Sequence, residues 1–397
     1  MDEHNQKPEL YDLLPLTLQG LPLKRRRFLK TSALAGLGAL SGTFWAMPAN
    51  AGEGKKDDRK FIAEAAYYEK LQHKQVRCKL CPRHCVIDDR ERGYCGVREN
   101  RNGTYYTLVY SRPCTYHVDP IEKKPLFHFL PATLAFSIAT AGCNLNCKFC
   151  QNWQISQVTP EQVPSIYLPP DGVAEAAKKY HCPSIAYTYN EPTIFFEYMR
   201  DTARAGHEQG VKSVVISAAY IEQEPIRELA EEVDAIKVDL KAFSDTYYKD
   251  IVRGELKPVL DALVSIKKSG VWNEIVYLVV PTLNDSDQEI KGLVKWINQN
   301  LGPDVPIHFT RFYPQYLLKN LPPTPVSTLE RCKAIADAEG LHYVYIGNVP
   351  GHPAESTYCP HCGKKIITRN GFVVSDIFIV NGRCKFCGTP IPGVWKE

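Results

Sequence analysis

The stretch Ala139-Thr140-Ala141-Gly142-Cys143-Asn144-Leu145-Asn146-Cys147-Lys148-Phe149-Cys150 decides how the chain is organised. It follows directly from an apolar run, Leu134–Ala139, of the length of a buried strand. The C-x3-C-x2-C spacing sets three thiols on one short loop, where they can converge on a single centre. Three thiolates suit a metal centre that keeps one position open, whereas a closed site takes four ligands. A zinc site and chance spacing are the alternatives.

Outward from this loop the chain alternates. Short apolar runs recur at Ser184–Tyr189, Ser213–Ser217, Ala235–Leu240, Asn273–Val280, Ile307–Phe312 and His342–Ile346. Helical stretches such as Asp171–Lys179 and Glu197–Glu208 lie between most of them. Strands alternating with helices predict an α/β fold with a parallel sheet, here a partial (β/α)6 TIM-like barrel over residues 131–350. The cysteine loop then falls at the C-terminal end of the first barrel strand, on the face where such barrels build their sites. No internal repeat or low-complexity tract breaks the pattern.

The full 397 residues, 44% apolar and 23% charged, have the composition of a globular protein. A net charge of +4 without a basic recognition motif gives no nucleic-acid partner. Eleven of the fourteen cysteines fall into three compact groups with C-x2-C steps, a pattern of metal ligation rather than of disulfides. Cys114, Cys182 and Cys332 stand alone and are expected to be buried structural thiols.

The N-terminal group, Cys78, Cys81, Cys85 and Cys95, lies in a segment spanning 52–130 and supplies the four thiolates of a closed site. By ligand count Zn²⁺ and a second [4Fe–4S] cluster fit it equally. The C-terminal group, Cys359, Cys362, Cys384 and Cys387, forms two knuckles in a zinc-ribbon-like module over 351–397. A segment this short buries too little core to fold unaided, so a metal is expected, Zn²⁺ in preference to a single iron. Phe61, Ala65, Tyr68 and Leu71 recur at helical spacing and predict an amphipathic helix over Phe61–Lys74; Thr104–Tyr110 reads as a strand.

Residues 1–51 have the order of an export leader. Arg25-Arg26-Arg27-Phe28-Leu29-Lys30 follows the twin-arginine pattern, Thr31–Met47 is weakly apolar, and Ala49-Asn50-Ala51 is a small-x-small cleavage site. The apolar stretch is too short and glycine-rich for a stable membrane span. Export by the twin-arginine route is the expectation, with a cytoplasmic location as the alternative.

With Phe149 ahead of its last cysteine, the central loop resembles the signature of the radical S-adenosylmethionine (SAM) superfamily. The resemblance implies a [4Fe–4S] cluster on Cys143, Cys147 and Cys150, with SAM chelating the open iron. Reductive cleavage of SAM would then give methionine and a 5′-deoxyadenosyl radical. Tyr189-Asn190-Glu191-Pro192 matches the family's Gly-Gly-Glu-Pro in its last two residues and implies that Glu191 grips the SAM amino group. Lys237-Val238-Asp239-Leu240-Lys241 is similar to the Asp-Leu-Lys of glycyl-radical activating enzymes and implies Asp239 and Lys241 as contacts for SAM or substrate. Ala218-Ala219 stands where the family usually has Asn-Gly. His308, on the Ile307–Phe312 run, is a further candidate for the cofactor site.

Over nearly the whole chain beyond the leader the resemblance is to the radical SAM enzyme of the AmmeMemoRadiSam system, a relative of pyruvate formate-lyase activating enzyme. Cys78-Lys79-Leu80-Cys81-Pro82-Arg83-His84-Cys85, Gly93-Tyr94-Cys95-Gly96-Val97-Arg98 and Tyr345-Ile346-Gly347-Asn348-Val349-Pro350-Gly351-His352 carry it. It implies an electron donor such as a flavodoxin or ferredoxin, a protein substrate to activate or modify, and Memo-like and AMMECR-type proteins as partners. Two other classes stand beside the enzyme: an iron–sulfur electron carrier, and an exported metal-binding scaffold without SAM chemistry. The open three-cysteine site favours the enzyme, because a carrier would close its cluster with a fourth cysteine.

Overall fold

A computed structural model of the protein describes residues 58–396. The proposed leader lies outside the described residues. The central element is an open eight-stranded sheet whose strands neighbour one another in chain order. Its edge strand β1 (Thr115–Pro120) runs antiparallel to β2 (Leu134–Ala139). From β2 the sheet is parallel through β3 (Ser184–Tyr187), β4 (Lys212–Ser217), β5 (Ala235–Asp239), β6 (Trp272–Val279), β7 (Ile307–Arg311) and β8 (Val344–Gly347). Six helices make the crossovers: α1 (Pro170–Lys179), α2 (Phe196–Glu208), α3 (Gln223–Glu232), α4 (Leu256–Ser269), α5 (Asp287–Leu301) and α6 (Val326–Ala338). The sheet is a partial barrel, as the alternation predicts.

The parallel strands are buried on both faces, which is why they are near-continuous apolar runs. Each helix lays one apolar stripe on the sheet. In α4 this is Leu256, Val259, Ala262, Leu263 and Ile266, and left-handed Gly270 (φ 79°) ends the helix. In α5 the Ser286 hydroxyl accepts the Glu289 N–H at the N-terminus.

Small residues line the lower barrel interior: Ala135, Ala186, Val214 and Ala235. The room they leave is filled by Ile121, Leu126, Phe129 and Leu130 from the connection between β1 and β2. They form an apolar plug at this level of the barrel.

Phe61–Lys74 is not the expected helix. Ala63–Glu64 pairs with Tyr106–Thr107, Tyr68–Lys70 pairs with Val76–Cys78, and Tyr67 between them has φ 56°. The helical spacing of its apolar residues is incidental. The backbone N–H of Ala65 donates to Tyr105 O and that of Ala66 to the Glu197 carboxylate, partners remote in sequence that override the local pattern. The strand expected at Thr104–Tyr110 is present over Thr104–Thr107.

The C-terminal segment packs beneath the sheet. Tyr343, Tyr345 and Phe127 share a core with Cys359, Ile366, Cys384 and Ile391. Buried Arg369 donates to Phe127 O and Thr357 Oγ1, both at 2.7 Å, with its guanidinium 4.1 Å from the Phe127 ring centre. Of the isolated cysteines, Cys182 and Cys332 are buried and Cys114 is only partly so.

Candidate functional site

The central loop leaves β2 at Ala139 and turns at Gly142, whose φ of 91° suits glycine. A second reason requires glycine there. A β-carbon would stand 2.5 Å from the Cys95 carbonyl oxygen and 2.6 Å from Val97 Cγ1. The loop is pinned by backbone bonds from Gly142 N to Ile155 O, Asn146 N to Val252 O and Lys148 N to Ile251 O. Asn190 clamps its base, donating from Nδ2 to both Thr140 O and Gly142 O at 2.8 Å.

Held this way, Cys143, Cys147 and Cys150 line one cavity at the C-terminal mouth of the sheet. Among the described residues lining it they are the only cysteines. Burial, with the Glu191 charge adding to it, pushes the Cys143 thiol well up, and burial pushes Cys147 up to about 12 against the pull of Lys241. Thiols so placed keep their protons until a metal displaces them.

Glu191, Asp239 and Lys241 line the same cavity. Glu191 Oε1 accepts from Thr193 N, Thr193 Oγ1 and Ser217 Oγ, while Oε2 accepts only from Ala218 N at 2.8 Å. The carboxylate thus spans the ends of β3 and β4 with capacity left on Oε2. Burial alone would raise Asp239, but the ammonium groups of Lys237 and Lys241 hold it down at about 2. Lys241 Nζ lies 3.1 Å from Asp239 Oδ2, and Lys237 Nζ bonds the other oxygen.

His308 does not reach the cavity. It sits one layer below Thr310, fully buried, with Nε2 2.8 Å from Glu274 Oε2 and Phe127 packed edge-on at 4.7 Å. Glu274 also accepts from the N–H groups of Phe127 and His128, so the pair belongs to the barrel interior.

Several residues at the site were not singled out from the sequence. Tyr189 stands where the family has its first glycine, and its φ of 71° is the left-handed conformation a glycine would take freely. The cost is offset by its hydroxyl bond to Asp119 and by the Lys124 ammonium 4.5 Å from its ring centre. Asn190 Oδ1 is buried, unpartnered and on the cavity wall, an acceptor suited to a ligand donor. Lys123 and Lys237 add positive charge to the wall. Tyr189, Asn190 and Lys237 lie inside the quoted motifs without a role assigned to them, and Lys123 carries no signal in the sequence.

The C-terminal cysteines converge. Cys359 and Cys387 sulfurs are 3.6 Å apart, Cys362 and Cys384 sulfurs 3.8 Å, and all four lie within 4.8 Å of one another. Tetrahedral thiolates at about 2.3 Å from one ion stand about 3.8 Å apart, so this group can hold a single metal ion. Cys78, Cys81, Cys85 and Cys95 line a separate cavity.

A barrel presenting three thiols and several charged groups at its C-terminal mouth is an arrangement that can hold a metal centre beside a polar ligand. Comparison with known proteins narrows the class. Residues 137–297 match the radical SAM superfamily domain. The chain is 46% identical over 332 residues to the uncharacterized protein MJ0808 of Methanocaldococcus jannaschii, covering 83% of this chain and 99% of that protein. It is 26% identical over 165 residues to the pyruvate formate-lyase-activating enzyme of Clostridium pasteurianum, covering 39% of this chain and 66% of that one. A radical SAM methyltransferase structure from Sphaerobacter thermophilus aligns over 57% of this chain and 71% of its own at 17% identity and a TM-score of 0.44. The chain belongs to the radical SAM superfamily, whose members use a [4Fe–4S] cluster and SAM, and it is homologous to glycyl-radical activating enzymes.

Proposed function

We propose that Cys143, Cys147 and Cys150 hold a [4Fe–4S] cluster and that the protein cleaves SAM reductively there to act on a protein substrate. The observation that carries this is the cavity itself, with three thiols and no fourth, and with Glu191, Asp239 and Lys241 facing the same space. A bound cluster and SAM supply one-electron cleavage of the sulfonium, yielding methionine and a 5′-deoxyadenosyl radical for hydrogen abstraction. The chain's own residues bind and orient. Glu191 Oε2 and Asn190 Oδ1 offer acceptors for the SAM ammonium, and Lys237 and Lys241 offer positive charge to a carboxylate. The missing fourth cysteine disfavours an electron carrier. Similarity to activating enzymes and the motif resemblance support a place as the radical SAM enzyme of an AmmeMemoRadiSam system, with a flavodoxin or ferredoxin as donor and Memo-like and AMMECR-type partners. Zn²⁺ is the proposed ion of the C-terminal group.

Glu191→Gln tests the SAM site. A charge-assisted hydrogen bond contributes about 1.5–3 kcal/mol, so SAM affinity should fall about tenfold to a hundredfold. Iron content should stay at the wild-type level, since no cluster ligand changes. Titration with SAM followed by electron paramagnetic resonance reads both. Wild-type affinity in the variant would remove Glu191 from the site, and a wild-type spectrum indifferent to SAM would overturn the enzyme reading.

The leader supports a further proposal, export by the twin-arginine route. Fractionation should find a shortened protein outside the cytoplasm, and Arg25→Lys with Arg26→Lys should retain it inside. Full-length wild-type protein found in the cytoplasm alone would refute export.

A further inference from the structure

The two flanking cysteine groups differ in geometry. Among the described residues, the C-terminal four are the only group of three or more such ligand atoms gathered within 4.8 Å of one another. Cys143, Cys147 and Cys150 share a cavity without converging that closely, as thiolates must when each binds a different iron of one cluster. The N-terminal four behave like the second case. Cys78, Cys81, Cys85 and Cys95 all face one cavity, yet they do not form a converged group of the kind the C-terminal four make. Single-ion geometry brings thiolates to about 3.8 Å, and a four-iron core holds them farther apart.

The walls of that cavity crowd in on the four thiols and set positive charge beside them. Gly93 contributes no side chain, and a β-carbon there would press on the Tyr105 hydroxyl at 2.8 Å. Arg98 is buried on the cavity wall, supplying positive charge beside the thiols. Arg83 lines the opposite side with its guanidinium stacked 3.4 Å from the Tyr94 ring centre.

The cavity also abuts the central loop. Asn144, between Cys143 and Cys147, lines it, and Arg83 Nε donates to the Asn144 carbonyl at 2.5 Å. On the other side the Cys95 carbonyl touches Gly142. One wall of the N-terminal cavity is therefore the back of the radical SAM loop.

We infer that Cys78, Cys81, Cys85 and Cys95 hold a second [4Fe–4S] cluster, seated directly behind the loop that carries the first. The inference builds on the proposed function for its neighbour but stands on its own four ligands.

The test is metal analysis and electron paramagnetic resonance of the anaerobically reconstituted full chain. Wild type should carry about eight irons and about one zinc. The Cys143→Ala/Cys147→Ala/Cys150→Ala variant should keep about four irons and give, on reduction, a cluster signal that SAM does not alter. Cys81→Ser with Cys85→Ser should do the converse, keeping the SAM-responsive signal alone. Wild type with about four irons and about two zincs, and a triple variant without iron, would overturn the second cluster while leaving the first intact. Four irons in both wild type and triple variant would instead sink the first cluster and support the second. The wild-type ratio separates about eight irons and about one zinc from about four irons and about two zincs even if a variant fails to fold.

Discussion

Alanine in place of Cys143, Cys147 or Cys150 is expected to abolish SAM cleavage. In the proposed site each thiol would bind a different iron, and among the described residues the cavity has no fourth cysteine to take over. With one ligand lost, the remaining two thiols would hold a cluster too weakly to retain it. Formation of 5′-deoxyadenosine should drop below detection in all three variants, and iron should fall by about four per chain. Cys182→Ala, a change at a buried isolated thiol, should leave both at the wild-type level. Full iron and absorbance in the three variants would overturn the assignment of the loop.

Arg98→Leu should produce the largest loss of stability. Arg98 is 1% exposed, and its Nη2 donates to both oxygens of Glu197 in the first turn of α2 at 2.5 Å. It further donates to Ala66 O and Ile194 O, so one side chain ties the N-terminal segment to the barrel. Removing it leaves the Glu197 carboxylate buried with only the Ala66 N–H as partner, a change that costs about 3–5 kcal/mol. Thermal or urea unfolding monitored by circular dichroism measures this. Arg98→Leu combined with Glu197→Leu should recover most of the loss, because no charge is then stranded. A single variant as stable as wild type would show that the pair does not hold the two parts together.

The barrel was legible because parallel strands buried on both faces have to be continuous apolar runs, and because each helix between them carries an apolar stripe. Leu134–Ala139 matches its strand residue for residue. The cysteine loop was legible from spacing alone, since ligand geometry is local. Contacts made across long sequence distances left no local mark. Arg98 and Glu197 are two ordinary charges until the fold buries them together. Phe61–Lys74 carried a helical spacing that distant pairing partners overrode. His308 looked like a site residue because it lies on the Ile307–Phe312 run, but it is the second residue of β7, one layer below Thr310, where Glu274 holds it. The sequence pattern likewise left the N-terminal metal open, because four thiols count the same whether they converge on one ion or spread around a cluster.

The plug of Ile121, Leu126, Phe129 and Leu130 has a kinetic consequence. A floor filled in this way closes one approach and leaves the rim and the open side of the sheet as the way in and out. If SAM and a protein substrate both enter over the rim, the ligand nearer the floor must arrive first, and its fragments must wait until the larger guest departs. Turnover would then follow a compulsory order, with inhibition by excess protein substrate that no kinetics of random access would produce.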